Sequence, residues 1–258
     1  MTDAVLLHTD DPIWRLTLNA PTSRNALSLD MVEGLHAAFD RVEADKPRGL
    51  VITGAGSVFC AGLDLAGIEE RSDADMLWLL TRIELVLQRL WALPCRTLGL
   101  AQKAAIGAGA DILVCCQHRI LSDGGRMAFP GLGFGIFLGT HRLSLRIGES
   151  AAESLLSSGG PVSAEDALRL GLVHATPAEP EKALEEWSAE VLSLDPHVAA
   201  YLSTTVSRAD PKADLAAFVA SAARPGLRDR IAAYVAAQKA ARQKSNVSTD
   251  TSKRKVPS

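Results

Sequence analysis

The sequence predicts an α/β protein: a core of alternating strands and helices followed by a small helical region. Three observations carry this. Strand-like stretches, either alternating or continuously apolar, take turns with helical apolar stripes along the first two thirds of the chain. Glycine clusters stand where predicted strands hand over to helices. After Pro180 the pattern is helical alone, to about Lys244. Strand–helix units with a helical tail fit a layered α/β core plus a helical appendage.

Trp14, Leu16 and Leu18 share one face of a half-buried strand over Trp14-Arg15-Leu16-Thr17-Leu18-Asn19. Pro21-Thr22-Ser23 is a turn. Ser28 is a good helix N-cap, with Asp30 in the first turn and an apolar stripe of Met31, Leu35, Phe39 and Val42. Leu50-Val51-Ile52-Thr53 is a continuous apolar run, as expected of a strand covered on both faces. It leads through Gly54-Ala55-Gly56 to Cys60-Ala61-Gly62-Leu63-Asp64-Leu65. A longer helix follows, with the stripe Met76, Leu80, Ile83, Leu87 and Leu90, ended by Pro94. Thr97 to Leu100 is a second buried strand. Gly107-Ala108-Gly109 then precedes an apolar helix, Asp111 to Cys116. Arg119-Ile120-Leu121 and Met127-Ala128-Phe129 are short strands, and Pro130 to Thr140 is a glycine-dense loop. Ser163-Ala164-Glu165-Asp166 opens a helix with a capping box, and Gly171 closes it before Leu172-Val173. The expected organisation is a core over residues 1–195, a helical region over 196–244 and a disordered tail over 245–258.

Composition limits the function. The chain has 258 residues, 47% of them hydrophobic and 22% charged, enough for a real core. A net charge of -3 supplies no global basic field, so neither nucleic acid nor an anionic membrane is an expected partner. The acidic start, the lack of a leading apolar stretch and the lack of an uninterrupted run of about 18 apolar residues predict neither signal peptide nor membrane span. Cys60, Cys95, Cys115 and Cys116 lack metal-ligand spacing and are too sparse for a disulfide framework. A cytoplasmic location follows as an expectation.

The chemistry-bearing features are the two glycine-marked points, Ala61-Gly62-Leu63-Asp64-Leu65 and Gly107-Ala108-Gly109. A helix N-terminus offers unpaired N–H groups, and small residues let a ligand approach the backbone. Two such N–H groups converging on one point would stabilise a carbonyl oxygen that gains negative charge. Each cluster alone is also compatible with an ordinary strand-to-helix turn.

Their order along the chain resembles that of the crotonase, or enoyl-CoA hydratase/isomerase, family. The resemblance rests on Arg24-Asn25-Ala26-Leu27, on Ile52 to Leu65, on Ile106-Gly107-Ala108-Gly109-Ala110-Asp111 and on Ser163 to Val173. It implies a spiral of ββα units with a helical C-terminal trimerisation region, assembled as a homotrimer or hexamer. It implies an acyl-CoA held between the two segments, with coenzyme A as part of the substrate and no resident cofactor or metal. By position, the backbone N–H groups of Leu63 and Ala108 would be the oxyanion donors. Ala26 and Ala61, Gly62, Leu63, Asp64 and Leu65 would line the CoA path. Arg24 is a candidate phosphate contact, though a solvent-facing turn arginine fits equally, and Lys239 is another candidate on the last helix.

The chain also departs from the family pattern. Hydratases of the family carry two glutamates. The first position falls on Asp111, an acid shorter by roughly 1.3 Å, where catalytic geometry tolerates about an ångström. A first-turn aspartate is equally what a helix dipole favours. The second position falls on Gly131, and a third acid position near Leu138 or Gly139 is empty. The loop before Arg142-Leu143 is shortened. His141 is a further candidate base, and Lys103 stands where the family has a turn glycine. Two-glutamate hydration is therefore not expected. The sequence predicts an acyl-CoA enzyme, lyase or isomerase, with Leu63 and Ala108 stabilising an enolate and Asp111 as the single acid/base. The alternative is a non-catalytic acyl-CoA-binding protein. Met76, Trp78, Phe134 and Phe137 are candidate linings of the acyl pocket, with core packing the competing role.

Overall fold

The computed structural model describes residues 3–205 and 211–253. In chain order the elements are β1 (Val5–His8), β2 (Ile13–Leu18), α1 (Leu29–Asp45), β3 (Gly49–Gly54), α2 (Asp73–Ala92), β4 (Arg96–Ala101), β5 (Ala104–Ile106), α3 (Ala108–Cys115), β6 (His118–Leu121) and β7 (Arg126–Ala128). Then come α4 (Thr140–Ile147), α5 (Glu149–Ser158), β8 (Val162–Ser163), α6 (Ala164–Arg169), α7 (Pro180–Ser193), α8 (Pro196–Thr205), α9 (Pro211–Ala222) and α10 (Leu227–Lys253).

One sheet runs β1-β2-β3-β4-β6, antiparallel at β1–β2 and parallel elsewhere. A smaller sheet runs β5-β7-β8. The chain leaves the large sheet for the small one twice, from β4 to β5 and from β6 to β7. This is the ββα repetition that the family resemblance implies. At the first crossing Lys103 adopts φ 45°, so the lysine takes the left-handed shape that a turn glycine would otherwise supply.

The strand periodicity explains the layers. Leu50 and Ile52 of β3 face one apolar cluster, with Met31, Leu35 and Phe39 of α1 and Ile83 and Leu87 of α2. Val51 faces a second cluster on the opposite side, with Leu98, Ile120 and Leu184, Trp187 and Val191 of α7. Both faces are thus dry, as the continuous run at Leu50–Thr53 requires. A third cluster ties the C-terminal helices to α2: Met76 and Leu80 pack on Phe218, Ala222, Leu227 and Ile231. Asp73 reinforces that junction by accepting from the N–H groups of Gly226, Leu227 and Arg228 at the start of α10.

Several boundaries differ from expectation. Ser28 caps α1 as predicted, accepting from Met31 N–H. The helix expected from Asp111 starts three residues earlier, at Ala108, because Gly107 at φ 54° and ψ -128° turns the chain directly into it. Beyond α6, Leu172-Val173 is buried without a ladder, and the segment joins the large sheet by an isolated bridge between Ile120 and Ala175. Inside the glycine-dense loop, Pro130–Phe134 forms a short 3-10 turn. The final helix, expected to end near Lys244, continues to Lys253. The rest of the tail expected over 245–258 lies outside the described residues. No helix among the described residues is long and apolar enough to cross a membrane.

Candidate active site

The first glycine-marked segment leaves β3 and is held in place by Asn25. That residue sits at φ 54°, a conformation asparagine tolerates. Its fully buried side chain donates from Nδ2 to the carbonyls of Ala55 (2.9 Å), Val58 (2.8 Å) and Phe59 (3.1 Å), and its Oδ1 accepts from Ala20 N–H (2.8 Å). The motif Arg24–Leu27 thereby runs beside Ala61–Asp64. Ala61 N–H donates to Arg24 C=O, Leu27 N–H to Gly62 C=O and Asp64 N–H to Leu27 C=O.

The second segment is drawn against the first by a short bridge. Cys60 pairs with Ala105, and Ile106 N–H donates to Cys60 C=O at 3.0 Å. The approach is close enough that two glycines are required. A β-carbon on Gly109 would lie 2.7 Å from the Cys60 carbonyl oxygen. One on Gly62, at φ 87°, would lie 2.5 Å from the Ile106 carbonyl oxygen and 3.6 Å from the Ala108 nitrogen. Gly107 N–H is consumed by Ala128 C=O. Among the described residues, neither Leu63 N–H nor Ala108 N–H has a protein acceptor. The fold therefore places two unspent backbone donors on adjacent segments, one of them at the N-terminus of α3, where the helix dipole is positive. At the other end of α3, Arg146 donates to Val114 and Cys116 C=O and Arg119 to Cys116 C=O, so positive side chains close its C-terminus.

Asp111 lies in the first turn of α3, with its N–H on Gly107 C=O, and is 5% exposed. Its carboxyl fills the space beside Gly139: a β-carbon there would meet Asp111 Oδ1 at 2.3 Å. Burial pushes the Asp111 acid well above the ordinary carboxylate range; Arg142 opposes the rise and Glu84 adds to it. Glu84 and Arg142, on α2 and α4, form a fully buried ion pair, and Gln88 Nε2 also donates to Glu84 Oε1. The sequence reading missed this cluster. A signal for Glu84 existed: it stands four residues after Leu80 and three before Leu87, on the buried stripe.

The other candidates divide. Ala26 and Gly62 are buried in the joined segments, Ala61, Leu63 and Asp64 are half-buried, and Leu65 is exposed. Asp64 pairs with Arg71 at 3.4 Å. Arg24 is exposed at the start of its motif. Lys239 is exposed on α10, and no hydrogen bond or ion pair joins it to the other candidates among the described residues. His141 is on the surface of α4, and Gly131 supplies no acid, its Cα facing the Ile136 carbonyl. Of the acyl-pocket candidates, Met76 is core, Trp78 is 59% exposed, and Phe134 meets Tyr234 in a tilted ring contact. The four cysteines are free and buried, and burial holds the Cys60 thiol up at about 12.

Comparison with known proteins finds similar chains. The sequence profile of the enoyl-CoA hydratase/isomerase family matches residues 8–218. A Bacillus subtilis protein named probable enoyl-CoA hydratase is 32% identical over 176 residues, covering 66% of this chain and 68% of that one. A Clostridium acetobutylicum short-chain-enoyl-CoA hydratase is 29% identical, over 74% and 76% of the two chains. A Bordetella parapertussis crystal structure, assigned by its name to the enoyl-CoA hydratase/isomerases, superposes with a TM-score of 0.86 at 38% identity, over 90% of this chain and 98% of that one.

Proposed function

Because the chain belongs to the enoyl-CoA hydratase/isomerase family, we propose that it binds an acyl-CoA thioester with the carbonyl oxygen between Leu63 N–H and Ala108 N–H, and works on it with Asp111 as the single acid/base. The observation that carries this reading is the pair of unspent N–H groups on segments held together by the Cys60–Ala105 bridge. Donors fixed by a folded backbone stabilise the negative charge of an enolate without having to reorganise. Ala26 and Ala61–Leu65 line the path of the CoA moiety, with Arg24 and Lys239 as phosphate contacts. Asp111 moves a proton at the α or γ carbon, which gives double-bond isomerisation, or orients water for hydration or thioester hydrolysis. We further infer a homotrimer or hexamer assembled through the C-terminal helices, where Val198, Tyr201 and Val219 are exposed; light scattering on the eluting protein measures it.

One observation favours a second reading, a non-catalytic acyl-CoA binder: Asp111 is almost fully enclosed and Gly131 offers no second acid. Asp111→Asn separates the two. If Asp111 is the acid/base, the variant loses enoyl-CoA turnover and keeps its affinity for crotonyl-CoA. Equal turnover in both chains removes the acid/base role. A lack of saturable binding up to millimolar crotonyl-CoA removes both readings.

A further inference from the structure

Three helices that are remote in sequence bring their charged groups to one enclosed point. Asp111 of α3 presses its carboxyl on Gly139, the residue that opens α4. Arg142, in the first turn of α4, turns inward and pairs with Glu84 of α2. Arg142 and Glu84 each rank among the most buried polar residues of the chain, at 1% exposure. The titratable groups facing Asp111 are Glu84 from α2, Arg142 from α4 and, one turn on in α3 itself, the buried Cys115 thiol.

An ion pair costs several kcal/mol per ion to desolvate, so one buried beside a third acid is an expensive arrangement for stability alone. Its charge balance has a chemical consequence. Arg142 carries one positive charge and Glu84 already neutralises it. Arg142 is therefore already engaged where Asp111 comes near it.

We propose that Glu84 is a positioning residue for Asp111: by pairing with Arg142 it keeps that guanidinium from drawing the carboxyl beside Gly139 into ionisation, so that the site begins its cycle as an acid. The inference rests on the reading of Asp111 as the acid/base and gives that reading a direction. Water adds at the β carbon of an enoyl thioester and the charge passes to the oxygen held at Leu63 and Ala108; the α carbon takes the proton from the Asp111 carboxyl, the O–H electron pair stays on the carboxylate, and the proton released by the added water restores the acid. Burial favours the neutral form of Asp111, in agreement.

The test needs no turnover. Infrared difference spectra of the whole chain against Asp111→Asn isolate the Asp111 carbonyl stretch. The expected result is a protonated acid at neutral pH. In Glu84→Gln, Asp111 becomes the counter-ion of Arg142, so its ionisation midpoint falls by at least about one pH unit. If turnover is found, the pH limb of kcat moves with it while KM stays constant. A wild-type Asp111 already ionised at neutral pH overturns the proposal whether or not the variant folds, as does an unmoved midpoint in a folded Glu84→Gln. Absence of turnover with the midpoint shifted as expected would instead remove the catalytic reading and leave the positioning contact standing.

Discussion

Gly62 and Ile106 approach so closely that no side chain fits between them: a β-carbon on Gly62 would stand 2.5 Å from the Ile106 carbonyl oxygen, on a backbone with φ 87°. The contact sets Gly62 beside the segment that carries Ala108. Gly62→Ala is therefore strained twice, by sterics and by conformation. The expected outcome is a drop in kcat on the order of a hundredfold, the cost of losing an oxyanion donor, and weaker crotonyl-CoA binding by calorimetry. Wild-type affinity in the variant would show that the spacing of the two segments is immaterial.

Asn25 spends both its Nδ2 protons on three loop carbonyls. Asn25→Asp keeps the size and the tolerance of φ 54° but turns a donor into a buried carboxylate facing those oxygens. Urea unfolding should register a loss of about 3 kcal/mol or more, accompanied by weaker ligand binding, because Arg24–Leu27 scaffolds Ala61–Asp64.

Arg142 and Glu84 differ in how they respond to single and paired replacement. Arg142→Met strands a buried carboxylate and should cost about 3–5 kcal/mol. Glu84→Leu with Arg142→Met removes both charges and should recover most of that loss. A double-mutant cycle from denaturant melts gives the coupling; additive losses would mean that the pair does not interact energetically.

Asp111 links stability to pH. Its folded acid is raised above its unfolded value, so its favourable contribution is complete below the unfolded aspartate range, near pH 4, and is lost as pH rises through the folded value. Asp111→Asn has no such loss. Its unfolding free energy should gain on the wild type as pH rises above about 4, by at most about 1.4 kcal/mol per pH unit, and its melting temperature should rise with it. A gap between the two melting curves that stays constant with pH would show that Asp111 titrates as an ordinary surface acid.

Much of the fold is legible in the chain because its cues are local. The alternation at Trp14–Leu18 and the unbroken run at Leu50–Thr53 report one covered face and two. Ser28 announces a helix start by the hydrogen bond it makes. Helices α4 and α5 are short and the loop before α4 is dense in glycine, so the sequence leaves them unassigned.

The sequence by itself determined the two small-residue segments, since a positive φ at Gly62 and a close approach at Gly109 leave glycine as the residue that fits. It also determined that Gly131 holds no acid and that Asp111 does. Tertiary structure alone decided what surrounds Asp111. Glu84, Asp111 and Arg142 sit on three separate helices, and no period or spacing in the chain encodes their meeting. Their convergence depends on how α2, α3 and α4 pack, and packing sets the dielectric and the neighbouring charges that govern a buried acid.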